Sequence, residues 1–375
     1  KEFAAKYPKI ASRLQMEGEV CEDPHVERMI ESFSFLTARI HKKLDDEFPQ
    51  ITEAMLSVLY PHFLRPVPSM SVAQLQLAPG TDISEMQELP RHSQLLSRPV
   101  QGLQIRYRTA YAVEVWPIRI AQAQLEAAER SAFAVTRNDT VATLRLRIET
   151  TGQQPLSQLP IQRLRLYLEG ESPLVHALHE LLLNSVASIT LRAPEGEPQV
   201  APVRLPASAL QPVGFAEDEA LLDYDPRSFL GYRLLQEYFV LPEKFLFVDL
   251  VGLDLSRFKQ AVEIAIEFNP FGRPERLQRL EQTVSADTFR LFCTPVVNLF
   301  KQQGEPIRLA HERHEYQIVP DVRRPLGLEV YSVDWVRKFS RSPTGNDSVE
   351  FHPAYSVQHA LHDDGEGHYW YLQRR

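Results

Sequence analysis

Glycine and cysteine are scarce in this chain, with 15 and 2 in 375 residues against 28 prolines. Few glycines leave little material for loops that cradle phosphates. No Walker-type loop, dinucleotide-binding glycine fingerprint or G-x-S-x-G nucleophile elbow occurs. The cysteines, Cys21 and Cys293, build no disulfide framework and fit a reducing cytoplasm or at most one bridge. Long apolar runs are missing too. The greasiest segment, 238–255, is interrupted by Pro242, Glu243 and Lys244 and is not a membrane span. No secretory leader is visible, although with Lys1 as the first residue this carries little weight. Basic residues are scattered and the net charge is -8, which excludes a general nucleic-acid binder and its basic stripe.

What is present is ordinary globular material, 43% apolar and 24% charged, enough for two or three domains. The most informative stretch runs from Asp23 to Met70. Asp23 is a good N-cap and Pro24 suits the first helical position. Val26, Ile30, Phe33, Leu36, Ile40, Leu44 and Phe48 recur at spacings of three and four, on one stripe of a long helix. Glu27 and Glu31 near its start and Lys42 and Lys43 near its end match the helix dipole, and Pro49 reads as its stop. A second short helix over Ile51–Leu59 closes at Pro61, and Pro66 and Pro68 mark a boundary. Phe35 breaks the pattern, about 180° from Val26, among Arg28, Glu31, Arg39 and Lys42. It is either a lone surface aromatic or the sign of a second covered side. Residues 1–14 also read as helical.

From Ser71 the period changes to two. Alternation over 72–77, 103–108, 113–120, 141–148 and 161–168 predicts strands with one wet face, hence antiparallel sheets or a sandwich. In the clearest case Leu144, Leu146 and Ile148 oppose Arg145, Arg147 and Glu149. Helices are expected over 173–183 and 228–239, and further strands over 188–191, 245–255, 261–268, 305–309, 316–319 and 328–333. The stretch 193–214 reads as surface loops, and polar 339–348 as a mobile loop. The expected fold class is α+β and multi-domain: an N-terminal helical segment (1–66), a first β-rich domain with an inserted helix (67–215) and a second β-rich domain (216–375).

Residues for chemistry are few. Three H-x-x-H spacings occur, His176/His179, His311/His314 and His359/His362, none inside H-E-x-x-H. His176 and His179, with Glu180 adjacent, are the best placed. They carry the alternative reading of a β-sandwich metal-dependent hydrolase; an independent ligand-binding β module is a third. Solvent-facing or hydrogen-bonded histidine is the plainer account. Asp45-Asp46 and Asp363-Asp364 hydrate a surface, and Cys293 in Leu-Phe-Cys-Thr-Pro is a poor nucleophile. Arg323-Arg324 and Arg374-Arg375 could pair with acids on a partner. No catalytic residue, metal ligand or cofactor-binding residue is assigned, and the expectation is no enzyme and no cofactor.

Three long segments, in order, carry a family resemblance. They are EFAAKYPKIASRL with DPHVERMIESFSFLTARIHKKLDDEFPQITEAMLSVLYPHFLRPVPSM; GYRLLQEYFVLPEKFLFVDLVGL; and FCTPVVNLF continuing to EPIRL and PDVRRPLGLEVYSVD. With them the chain resembles the type VI secretion baseplate subunit TssF (the VasA/ImpG family), shortened at its C-terminus and lacking the few residues that usually precede EFAAKYP. The resemblance implies a wedge component of a phage-tail-like baseplate, cytoplasmic and docked beneath the inner membrane, touching the membrane only through the secretion membrane complex. It implies TssG, a second TssF copy, TssK, TssE and the VgrG hub as partners, no nucleic acid, and a part in initiating the tube and contractile sheath. The residues expected to face a partner are Met29, Phe33, Phe35, Leu36, Arg39 and Ile40.

Overall fold

The computed structural model describes residues 5–13, 16–17, 20–21, 23–78, 83, 85–128, 140–224, 228–271, 274–310, 312–325, 327–342, 345–354 and 368–374. Two compact units result, Lys1–Arg65 with Val333–Arg375, and Pro66–Ser332.

The first unit carries helices α1 (Pro8–Arg13) and α2 (Pro24–Leu59). α2 begins as expected: the Asp23 side chain accepts the His25 N–H at 2.8 Å. It does not stop at Pro49. The 36 residues run on as one helix to Tyr60, whose N–H closes the last turn on the Leu56 carbonyl. Proline has no N–H to give the Asp45 carbonyl, and losing that bond did not end the helix. The expected pair of helices is therefore one, and Lys42 and Lys43 lie mid-helix, away from the C-terminal dipole. The same unit holds a hairpin, Val336–Ser342 with Gly345–Pro353, where a loop was expected over 339–348. Arg337 and Glu350 are register partners and pair at 3.2 Å, and Tyr369–Trp370 adds a short third strand, parallel to Gly345–Pro353.

The second unit is built on antiparallel sheets. A five-stranded sheet orders Val203–Leu205, Val186–Arg192, Ala261–Phe268, Ala142–Thr150 and Ile118–Ala127. A four-stranded sheet orders Leu210–Pro212, Phe247–Val251, Arg163–Leu168 and Phe289–Leu291. They share one core, sealed by α3 (Ser172–Asn184) through Val175, Leu178, Leu181 and Leu182. Leu144, Leu146 and Ile148 point into it, while Arg145 on the opposite face reaches Glu263 at 2.7 Å, as the alternation predicts. Two further helices complete the unit, α4 (Leu230–Val240) and α5 (Pro274–Thr283); Leu280 of α5 enters the same core. A third sheet joins Met70–Gln74, Cys293–Val297, Arg106–Thr109 and Gln94–Leu96 over a smaller core around Tyr111 and Phe247.

Sheets thus cross position 216, where composition placed a boundary: Ala261–Phe268 lies between two strands from the earlier half. The stretches 305–309, 316–319 and 328–333 carry no strand. Glu305 N–H reaches the Val319 carbonyl at 2.9 Å, and the adjoining Pro306 and Pro320 have no N–H to continue it.

Candidate assembly surface

α2 spans about 54 Å at 1.5 Å per residue. Its apolar stripe is exposed. Met29, Phe33, Phe35, Leu36 and Ile40 are each 54–70% accessible, and Leu44, Ile51, Met55 and Leu59 extend the exposure to the C-terminal end. Only Val26, Ile30 and Thr37 among residues 26–40 are half-buried. Because the helix continues through Pro49, Met29, Ile40 and Ile51 fall eleven residues apart, as do Phe33, Leu44 and Met55. An eleven-residue period is 3.67 residues per turn, close to the helix's own, so the seam stays on one side with a slight right-handed drift. A seam on α2 this long suits another helix better than a pocket suits a ligand.

Phe35 lies off that seam, with the Arg39 guanidinium 6.0 Å from its ring centroid. Arg39 is also exposed. The pair gives the second side of α2 an aromatic with a cation beside it, a contact worth about 0.5–1 kcal/mol at an exposed site. The six expected partner-facing residues therefore form two adjacent exposed groups, Met29, Phe33, Leu36 and Ile40 on the seam and Phe35 with Arg39 beside it.

The family model described as "Type VI secretion system, TssF" matches residues 1–375. The chain belongs to the TssF family. It is 37% identical over 382 aligned residues to type VI secretion system component TssF1 of Pseudomonas aeruginosa, covering 100% of this chain and 60% of that protein. In structure it is similar, with a TM-score of 0.70 and 29% identity, to a chain of the type VI secretion system TssK-TssF-TssG baseplate subcomplex solved by cryo-electron microscopy. That match covers 93% of this chain and 63% of the other. This TssF-family chain thus spans about three-fifths of the relatives it matches.

The TssF-family chain brings no reaction centre together among its described residues. His176 is exposed on α3 and His179 half-buried one turn on; burial, then His176, lowers the His179 pKa. Adjacent Glu180 lies 3.8 Å from Arg276, and no group of three metal-binding side chains forms among the described residues. His311, His359, His362, Asp363 and Asp364 lie outside them; His314, Asp45, Asp46, Arg323 and Arg324 are exposed. A pocket of about 370 Å³ is lined by Met70, Val72, Tyr167, Glu169, Arg290 and Cys293. Its thiol and phenol are poor nucleophiles near neutral pH. Burial foremost, then nearby carboxylates, pushes Cys293 and Tyr167 each up to about 12, and Arg290 is held by Glu169 at 2.6 Å. No helix of the described residues is long and apolar enough to cross a membrane.

One exposed group was not singled out from the sequence. α4 was expected, but not that its aromatic residues face outward. The signal was available: Arg233 and Glu237 share a face, while Tyr232, Leu235 and Phe239 share the other.

Proposed function

We propose that this chain acts as a structural wedge subunit of the type VI secretion baseplate rather than as an enzyme. In this reading the α2 seam enters a helical bundle with TssG, the side bearing Phe35 and Arg39 meets a further chain, and a second TssF copy shares the same TssG. TssK and TssE complete the wedge, wedges surround the VgrG hub, and the assembly initiates the tube and contractile sheath. The site of action is the cytoplasm beneath the inner membrane, with membrane contact only through the secretion membrane complex and no nucleic-acid partner. The observation that carries the proposal is the exposed seam of α2 in a chain of the TssF family.

Co-purification of the full-length protein with TssG tests it. Leu36 is 54% exposed, so Leu36→Asp places its charge in water when the chain is alone and buries it only in the bundle. Phe35→Glu probes the second side. Each is expected to weaken the complex about 30-fold, as loss of a 2 kcal/mol anchor does, with unchanged thermal unfolding of the free chain. Full complex yield with Leu36→Asp would end the bundle assignment, and full yield with Phe35→Glu only the second-side part.

A further inference from the structure

α4 is inside out. Its buried face carries Arg233 and Glu237, 2% and 1% exposed, and its outer face carries Tyr232, Leu235, Tyr238 and Phe239, the last 80% exposed. At about 100° per residue, Leu235 and Phe239 centre about 160° from Arg233 and Glu237.

The inward face is not a folding accident. Arg233 donates to the carbonyls of Phe215 and Ala216, each at 3.1 Å, and Glu237 accepts the Leu221 N–H at 2.8 Å and the Lys244 ammonium. These bonds fasten residues 213–222 as a strap against the helix. Glu219 adds to the hold by accepting from Gly214 and Ala216 N–H and from Arg165. With the charged face fixed inward, the aromatic face has no way to turn in.

The outward patch continues beyond the helix. Buried Phe245 links the exposed rings of Phe215 (5.1 Å) and Tyr238 (6.0 Å), and Tyr238 reaches Phe239 (5.7 Å). A clustered, exposed aromatic patch of this kind marks an interaction site. The described exposed charges of its segment have one sign. Among the described residues of 213–245 the exposed charges are Glu217, Asp218, Asp223 and Glu243, all acidic, and the two cations, Arg233 and Lys244, are buried. Asp223 alone of these acids has a cation from another segment beside it, Arg108 at 3.4 Å.

We propose that the outer face of α4, with Phe215, docks a different baseplate subunit through a segment whose apolar anchors are flanked by lysine or arginine. This rests on the baseplate reading above. Charge chooses the occupant: a two-fold contact between copies would set these acids against themselves, whereas basic flanks would complement them.

The test uses the full-length protein, alone and in a purified subcomplex with TssK and TssG, by hydrogen exchange and by carbodiimide coupling of carboxylates to lysines. Expected are slower exchange of amides 230–240 in the subcomplex and couplings from Glu217, Asp218 or Glu243 to lysines of TssK or TssG. Leu235→Ser with Phe239→Ser, both solvent-facing, should lose the couplings and weaken that contact about tenfold, more so at high salt. Unchanged exchange in an intact subcomplex, or couplings only within the chain or to a second copy, overturns the docking proposal and leaves the baseplate reading standing. Failure to form the subcomplex overturns both.

Discussion

Lys244 and Glu237 form an ion pair sealed from solvent, their side chains 0% and 1% exposed. Burial lowers the Lys244 pKa against the pull of Glu237, so each charge depends on the other. Lys244→Met should therefore lower unfolding free energy by about 3–5 kcal/mol, seen as a lower urea midpoint at unchanged slope. Adding Glu237→Gln should recover part of the loss. The amide oxygen still accepts from Leu221, and the carboxylate charge that Lys244→Met leaves without its ammonium is gone. A double variant no better than the single would show that the pair does not act as a unit.

Gly214 sits against that pair in the left-handed region, at φ +106°. A Cβ there would meet the Lys244 carbonyl oxygen and a Phe245 ring carbon, both at 3.2 Å. Gly214→Ala should cost about 1–3 kcal/mol, from strained backbone plus crowding. Gly252, at φ +76° with open space around it, is the control. Gly252→Ala should show the backbone part alone, about 1 kcal/mol. Equal losses in chemical denaturation would remove crowding from the account.

Pro49 lies inside α2, so restoring an N–H there should strengthen the helix. Pro49→Ala is expected to add up to about 3 kcal/mol of local helix stability, read as slower amide exchange on both sides of position 49. Two separate helices meeting at Pro49 would show no such gain.

Cys293 supplies the pH dependence. Its thiol ionises at about 12 in the fold against an ordinary 9.0, chiefly through burial. The folded state therefore holds the proton more tightly, and this group's stabilisation is complete below pH 9 and lost as pH rises toward 12. The loss should reach about 1.4 kcal/mol per pH unit in that window. Unfolding midpoints of the native chain should fall more steeply there than those of Cys293→Ala. Parallel curves would count against the assignment, as would rapid alkylation of the folded thiol at pH 8.

Local signals were legible in the sequence and non-local ones were not. The Asp23 cap and the alternation of Leu144, Leu146 and Ile148 with Arg145, Arg147 and Glu149 depend on neighbours in the chain, and both stand in the structure as the residues predict. Pro49 was misread because a proline's local penalty can be outweighed over a 36-residue helix. The hairpin over 336–353 was missed because a two-sided polar ribbon has little hydrophobic alternation. Partnering of 142–150 with 261–268 depends on register across more than a hundred residues, which no window contains. For the candidate surface, spacing gave the α2 stripe but not its exposure. The inverted polarity of α4 was written in Arg233 and Glu237, yet meant nothing until the strap they hold was visible.

The placement of Ala261–Phe268 has a consequence for synthesis. The strands on either side of it leave the ribosome first, and neither can complete its ladder until residue 268 has emerged. Until then the nascent chain holds two partial sheets with open edges and an uncovered core, the condition that invites wrong pairing. Fragments of this protein cut before residue 268 lack the middle of their own sheet, so expression boundaries belong outside 66–332.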